Sequence, residues 1–148
     1  MNRPTPAEVR ELAGAHLARL LLGALRQVEA ASLAALHQRG HAGVRTGHIP
    51  VFAAGDGTRI TDLAAGAGMT RQMMGRLVRE LAEAGYVTAR TDPADQRAVV
   101  VALTDRGWAF CDDAREVMAA LETRYADLLG PDAFAALRAA LTDIAHEP

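Results

Sequence analysis

The stretch that decides the fold of this chain runs from Ile60 to Gly107 and reads ITDLAAGAGMTRQMMGRLVRELAEAGYVTARTDPADQRAVVVALTDRG. Ala64 precedes Gly68 by four residues, and a small residue there lets two steeply crossing helices approach each other. Gly68 suits the turn between them because glycine takes positive φ without steric cost. Thr70 is placed to cap the second helix through its hydroxyl. The pattern predicts a helix-turn-helix.

The second of these helices has one apolar and one basic face. Its apolar residues recur at the helical period and are predicted to be buried: Met74, Leu77, Val78 and Leu81. The opposite face carries no acid before Glu80 and is predicted to contact DNA through Thr70, Arg71, Gln72, Met73, Gly75, Arg76 and Arg79. Arginines on an arbitrary helix usually mark a solvated surface, so this interpretation depends on the turn before the helix and on the hairpin predicted after it.

A short hairpin is predicted after the helix. Gly85 fits the left-handed residue that ends a helix, and residues 86–90 and 98–103 read as two strands. A polar turn of six residues, 92–97, is predicted to join them. Arg97 on this turn matches the narrow minor groove of A·T-rich DNA, and Asp95 is predicted to hold its guanidinium by a bidentate pair. Alternatively, the two residues form an exposed ion pair of little energetic value.

The motifs of the hairpin and its flanks are specific because they occur in order and at fixed distances. They are LVREL at 77–81, GYV at 85–87, Arg90, DPADQR at 92–97 and VALTDRG at 101–107. In these residues the chain resembles the multiple antibiotic resistance regulator (MarR) family of transcription factors, whose signature there is a D-x-R wing followed by L-T-x-x-G. The resemblance implies a homodimeric winged-helix repressor or activator whose affinity for DNA is tuned by a small molecule.

Composition and charge agree with a regulator that binds double-stranded DNA. The 148 residues suffice for one domain with an oligomerisation arm. Only 4% are aromatic, which argues against single-stranded nucleic acid, whose binders stack bases on aromatic rings. The net charge is −2, but eight of the 18 acids lie after residue 111, with only three of the 16 arginines. The acidic part is therefore separate from a mildly basic DNA-facing part.

The flanks of the central segment predict a dimer. Thr5-Pro6-Ala7-Glu8 is a capping box, and a helix is predicted from there to about Gln38. Thr104 is predicted to cap a second long helix, and Gly130-Pro131 to separate it from a last one. The apolar stripes of these two helices are Cys111, Ala114, Met118, Leu121, Tyr125 and Leu128, then Phe134, Leu137, Leu141 and Ile144. Pairing with a second copy would cover the stripes and space two recognition helices for successive major grooves.

These inferences predict a mainly α protein with a small β-wing. The predicted division is an N-terminal dimerisation helix at 1–40, a winged helix-turn-helix DNA-binding domain at 41–107 and C-terminal dimerisation helices at 108–148. Within 41–57, Ile49, Val51, Phe52 and Ala53 suggest a short buried helix, and residues 55–57 suggest a turn.

An effector pocket is expected near this region from the resemblance, with an aromatic or phenolic acid as its ligand. Its predicted lining is Arg10, His16, Arg19, His48, Phe52 and Trp108. The alternative for His16 is a hydrogen-bonded core histidine. The alternative for Trp108 is that it packs against the wing exit.

Other chemistry finds little support in the sequence. His37 and His41 have a spacing that suits a metal, but Gly40 is predicted to end the helix between them. Ser32 is the only serine, and residues 66–68 lack the lysine of a phosphate loop. We therefore expect no enzyme activity, no cofactor and no metal. Cys111 is the only cysteine, which predicts a buried structural thiol in a protein of the reducing cytoplasm. Neither a targeting segment nor a membrane segment is predicted.

The function predicted from sequence is a homodimeric DNA-binding repressor that recognises a palindromic operator and is released by a small-molecule effector. The alternative is a winged-helix protein-interaction module that does not bind DNA. Acids on the recognition face or a missing wing arginine would favour the alternative. Arg71, Arg76 and Arg97 are all present and favour the regulator.

Overall fold

The computed structural model describes residues 5–9 and 16–146. After a helical turn at 6–9, its elements are α1 Leu17–Gln38, a 3-10 helix Thr46–Ala54, β1 Thr58–Arg59, α2 Ile60–Gly66, α3 Arg71–Glu83, β2 Val87–Asp92, β3 Asp95–Leu103, α4 Asp105–Leu129 and α5 Pro131–Ala145. Within the described residues the strands form one antiparallel sheet in the order β1, β3, β2. The predicted class, mainly α with a small β-wing, is confirmed.

The N-terminal helix is shorter than predicted. The capping box is present, since the Thr5 amide donates to the Glu8 carboxylate at 2.7 Å and the Glu8 amide donates to Thr5 Oγ1 at 3.3 Å. Residues 10–15, including Arg10 and part of the predicted helix, lie outside the described residues. α1 begins only at Leu17 because His16 has the extended backbone of an N-cap, with φ −68° and ψ 135°. His16 is also exposed, so the alternative that made it a core histidine is wrong.

The helix-turn-helix forms as the sequence predicts. Gly68 has φ +62°, in the left-handed region that favours glycine. The Met69 amide donates to the Ala64 carbonyl at 2.8 Å, and Ala64 is buried where α2 and α3 approach each other. Thr70 caps α3, because its Oγ1 accepts from the Met73 amide at 3.2 Å.

The region before α2 forms a 3-10 helix, with Pro50 inside it. Val51 and Ala54 are fully buried and Phe52 is half-buried, but Ile49 and Ala53 are exposed. The short buried helix predicted here is therefore present with a tighter winding and a narrower buried face. The turn predicted at 55–57 is also present. The two-residue strand β1 after it is not predictable from the sequence, because so short a segment carries no alternation.

The core lies between the 3-10 helix, α2, α3, the sheet and the start of α4. Tyr86 is its largest fully buried side chain, and its ring lies edge-on to those of Phe52 and Phe110. The Arg106 guanidinium lies 4.5 Å from the centre of the Tyr86 ring. These contacts join the start of α4 to the segment that follows α3 and thereby fix the sheet beside α3.

The long terminal helices pack on one another but leave apolar side chains exposed. α1 packs against α4, and α4 against α5. In the stripe predicted on α4, Leu121 is buried and Tyr125 half-buried, but Met118 and Leu128 are exposed by 41% and 74%. On α5 only Phe134 is half-buried, whereas Leu137, Leu141 and Ile144 are exposed. No helix among the described residues is both long and apolar enough to cross a membrane.

Candidate nucleic-acid interface

α3 separates an apolar face from a basic one, as the sequence predicts. Met74, Leu77, Val78 and Leu81 are all buried. The predicted DNA-contacting residues that are exposed are Thr70, Arg71, Gln72, Met73, Arg76 and Arg79. Gly75 differs, because it is half-buried on the side facing α2, where an added Cβ would lie 3.8 Å from Ile60 Cδ1. Its place is therefore at the junction of the two helices, which corrects its assignment to the outward face.

The outward face of α3 holds a groove of about 320 Å³ lined by Gln72, Met73, Arg76 and Arg79. Three of these side chains are polar donors, and Gln and Arg are the residue types that pair with adenine and guanine edges in the major groove. Met73 is 47% exposed between them. An exposed apolar side chain in such a position suits the methyl group of thymine. The groove thus combines the chemistry needed to read base edges.

The Glu80 carboxylate borders the outward face of α3 and is held there by residues outside that helix. Glu80 Oε2 accepts from Nε2 of the buried His48 at 2.8 Å and from the guanidinium of Arg45. Glu80 Oε1 lies 3.5 Å from Nη1 of Arg76. The His48 hydrogen bond is the main cause that lowers the pKa of Glu80, and the charges of Arg45 and Arg76 add to it against the opposing effect of partial burial. Glu80 is therefore an ionised residue with fixed partners.

The hairpin is tighter than predicted. β2 and β3 stay paired as far as Asp92 and Asp95, so the turn contains only Pro93 and Ala94. Asp92 stabilises it, because Oδ1 accepts from the Ala94 amide at 2.9 Å and Oδ2 pairs with Nη2 of Arg59 at 2.7 Å. The same two contacts, the Ala94 amide first, lower the pKa of Asp92. The predicted six-residue turn is wrong because these contacts, with the φ that proline imposes, close the hairpin within two residues.

Arg97 accordingly lies in β3 rather than at the tip. Its side chain is exposed and pairs with no acid among the described residues. Asp95 accepts from the backbone amide of Arg97 at 3.0 Å. The bidentate pair predicted between the two side chains is therefore absent from this conformation, since the Asp95 carboxylate is engaged by the main chain. Arg97 and the exposed Arg90 of β2 leave two cations on the wing, next to the basic face of α3.

From the sequence, His41 is considered only as a metal ligand, and its structural role, which is to join α4 to the residue that precedes β2, is not identified. His41 Nδ1 lies 2.9 Å from Tyr86 Oη, and its Nε2 lies 2.9 Å from Asp113 Oδ2. Arg39 donates to the same Asp113 carboxylate at 2.8 Å. The hydrogen bond from His41, followed by that from Arg39, lowers the pKa of Asp113. The only signal in the sequence is Gly40, whose φ of +97° turns the chain back after α1 and carries His41 inward.

The structure does not gather the predicted effector residues into one cavity. Arg10 lies outside the described residues, and His16 and Arg19 are exposed at the start of α1. His48 is engaged by Glu80, and Phe52 stacks on Phe110 with ring centres 4.0 Å apart. Trp108 is 44% exposed on α4, so packing does not enclose it. The large apolar groove among the described residues lies elsewhere: it measures about 620 Å³ and is walled by α1, α4 and α5.

Comparison with known proteins finds a family match for the segment that carries this geometry. A model of the MarR family matches residues 51–98, which span the 3-10 helix, the helix-turn-helix and the hairpin. No curated protein sequence matches the chain.

Solved structures match over nearly the whole chain. A MarR-family transcriptional regulator from Rhodococcus sp. RHA1 is 27% identical, with a TM-score of 0.68, covering 88% of this chain and 92% of that one. The transcriptional repressor CouR bound to a 23-mer DNA duplex is 25% identical, with a TM-score of 0.72, covering 98% and 100%. CouR from Rhodococcus jostii RHA1 bound to p-coumaroyl-CoA is 27% identical, with a TM-score of 0.67, covering 91% and 95%.

The family model and the structural matches agree with the motifs and with the observed fold. The model covers the segment that carries the basic face and the wing, and the structures extend the likeness to the terminal helices. Residues 51–98 match the MarR family, and structures similar over most of the chain are a MarR-family regulator and a DNA-bound repressor, so these findings support a DNA-binding winged helix-turn-helix regulator of the MarR type.

Proposed function

We propose that this protein is a homodimeric repressor that binds a palindromic operator and is released from it by an aromatic or phenolic effector. The observation that carries the DNA-binding part is the outward face of α3, where arginines, Gln72 and Met73 line a groove bordered by the anchored Glu80. Such a face, beside a wing with two exposed arginines, fits the edge of a major groove and its flanking minor groove.

The exposed apolar residues of α4 and α5 support the homodimer. Leu128, Leu137, Leu141 and Ile144 are exposed on these two helices, and the first three also line the groove walled by α1, α4 and α5. Monomeric proteins seldom expose a contiguous apolar patch of this kind. A second copy related by a two-fold axis would bury it and would present two recognition helices to two half-sites.

The effector class is argued from the resemblance and from a relative. CouR has been solved with p-coumaroyl-CoA, a thioester of a phenolic acid. A repressor role follows the same comparison, since CouR is described as a transcriptional repressor. We propose the same ligand class here, and the cytoplasm, where a lone free Cys111 stays reduced, as the place of action.

Selection of duplexes from a random DNA pool by the purified protein tests this proposal. We expect an enriched palindrome whose half-sites lie about one helical turn apart, and a mass of twice 15.7 kDa by light scattering. p-Coumarate and p-coumaroyl-CoA should raise the melting temperature and release the selected duplex. If no duplex is enriched at low salt, the protein is a winged-helix interaction module that does not bind DNA.

A further inference from the structure

Glu80 occupies the boundary between the 3-10 helix and the outward face of α3, and its two oxygens have different partners. Oε2 accepts from His48 Nε2 at 2.8 Å and from the Arg45 guanidinium. Oε1 faces Nη1 of Arg76 at 3.5 Å, one helical turn earlier on the same face. The Glu80 carboxylate therefore connects the 3-10 helix, which packs against α3, to the Arg76 side chain on the exposed face of α3.

His48 holds this carboxylate in one orientation. Its side chain is 3% exposed, and its Nδ1 accepts from the backbone amide of Arg45 at 3.2 Å. With Nδ1 acting as an acceptor, Nε2 carries the ring hydrogen and donates a hydrogen bond to the Glu80 carboxylate. The ring is thus fixed at both nitrogens and cannot turn without leaving a buried polar atom unpaired. As a result, Oε2 is fixed and Oε1 points toward Arg76.

The contact with Glu80 orients Arg76 and leaves most of its guanidinium donors free. Its side chain is 62% exposed and lines the groove with Gln72, Met73 and Arg79. The long Glu80 contact uses one of the five N–H donors of the guanidinium, so the others stay available to a base edge. An ordinary exposed pair four residues apart would contribute almost nothing, because both side chains move freely. Here the acid is immobilised by a buried partner.

We propose that Glu80 is a positioning residue that presents the Arg76 guanidinium to a guanine edge in the operator. The inference rests on the proposed function, since it requires that α3 reads duplex DNA. Orienting a flexible arginine before binding reduces the side-chain freedom lost on association. It also restricts the guanidinium to the plane in which it can pair with guanine O6 and N7. The expected consequence is discrimination between base pairs rather than general affinity.

Glu80→Gln tests this because it keeps the shape of the side chain and removes its charge. The wild-type protein first selects its duplex from a random pool, and Arg76→Ala identifies the base pair at which discrimination depends on Arg76. Binding is then measured by fluorescence anisotropy for the selected duplex, for the same duplex changed at that base pair, and for a scrambled duplex of equal length. Far-UV circular dichroism at the assay temperature confirms that each variant is folded.

The two effects of the substitution have opposite signs. Loss of a negative charge beside the phosphates should strengthen binding to the scrambled duplex. Loss of orientation should lower discrimination at the Arg76 base pair by about five-fold, a part of what a full bidentate contact supplies. Glu83→Gln is the matched control, because Glu83 is an exposed acid of α3 with no ion pair among the described residues. It should strengthen binding to all three duplexes by a similar factor and leave discrimination at the Arg76 base pair unchanged.

A double-mutant cycle separates positioning from a structural role. In the Arg76→Ala background, Glu80→Gln should leave discrimination at that base pair unchanged, because there is no guanidinium left to orient. The inference is overturned if Glu80→Gln alone discriminates like the wild type. It is also overturned if discrimination falls equally in the two backgrounds, or if Arg76→Ala affects no base pair at all. If the wild type selects no duplex, the proposed function fails and the inference fails with it.

Discussion

Gly107 should resist replacement by alanine although it lies in the first turn of α4, where alanine is the better helix former. An added Cβ would lie 2.3 Å from the backbone oxygen of Tyr86 and 3.1 Å from Leu103 Cβ. The Tyr86 oxygen accepts from the Thr104 amide at 3.0 Å, and the Tyr86 ring is fully buried. Neither side of the contact can therefore move away cheaply.

Two opposing effects determine the magnitude. Alanine gains about 1 kcal/mol over glycine in a helix interior. Overpacking in a core costs about 1–3 kcal/mol, and a clash with an anchored backbone oxygen belongs at the upper end of that range. We expect Gly107→Ala to lower the free energy of unfolding by a net of about 1–2 kcal/mol.

Urea denaturation followed by far-UV circular dichroism measures this difference, at one fixed protein concentration because a dimer gains stability with concentration. Gly23→Ala is the matched control, because Gly23 lies inside α1 and a Cβ there meets nothing within 4 Å. The control should be up to about 1 kcal/mol more stable than the wild type. A Gly107→Ala protein as stable as the wild type would refute the reasoning.

Three further predictions concern the wing, the apolar face of α5 and the pair formed by Asp113 and the buried His41. Arg97→Ala should weaken binding to A·T-flanked duplexes and make the salt slope shallower by about one unit, whereas Arg124→Ala on α4 should leave the slope unchanged in the same anisotropy titration. Leu137→Glu puts a charge on the exposed apolar face of α5 and should reduce the light-scattering mass to 15.7 kDa; a dimer of full mass would contradict the interface. Asp113 has a folded-state pKa lowered chiefly by the His41 hydrogen bond, so its stabilising effect should be present above about pH 4 and lost as pH falls through the folded value. Urea midpoints should then fall less steeply on acidification in Asp113→Asn than in the wild type.

The helix-turn-helix is predictable from the sequence because its determinants are local. Gly68 fixes a positive φ, Thr70 caps the next helix, and the period of the apolar residues sets which face of α3 is buried. Each of these effects acts within a few residues of its cause. The exposed arginines of α3 are then expected, because the face opposite a buried stripe must face solvent.

The hairpin is less predictable because its turn depends on a residue far away in the chain. Arg59 lies in β1, which pairs with β3, and its guanidinium reaches Asp92 at the start of the turn. Within β3 the β-branched residues lie only at 99–101, whereas the pairing extends the strand back to Asp95. Polar residues at the outer end of a two-stranded ribbon carry no hydrophobic alternation, so their pattern is that of a loop.

The residues predicted to line an effector pocket do not share one cavity among the described residues, and the reason concerns how buried polar and aromatic groups are satisfied. Residue type alone singles out His48 and Phe52, but both already have partners within the fold. His48 has hydrogen bonds at both ring nitrogens, and one face of Phe52 is covered by Phe110. Nearly all buried polar side chains in folded proteins are hydrogen-bonded. The partner of His48, Glu80, is 32 positions away in the chain and is not apparent from the local sequence. Residue type alone thus cannot separate a ligand-binding histidine from one that fixes the recognition helix, whereas the contacts of its two ring nitrogens can.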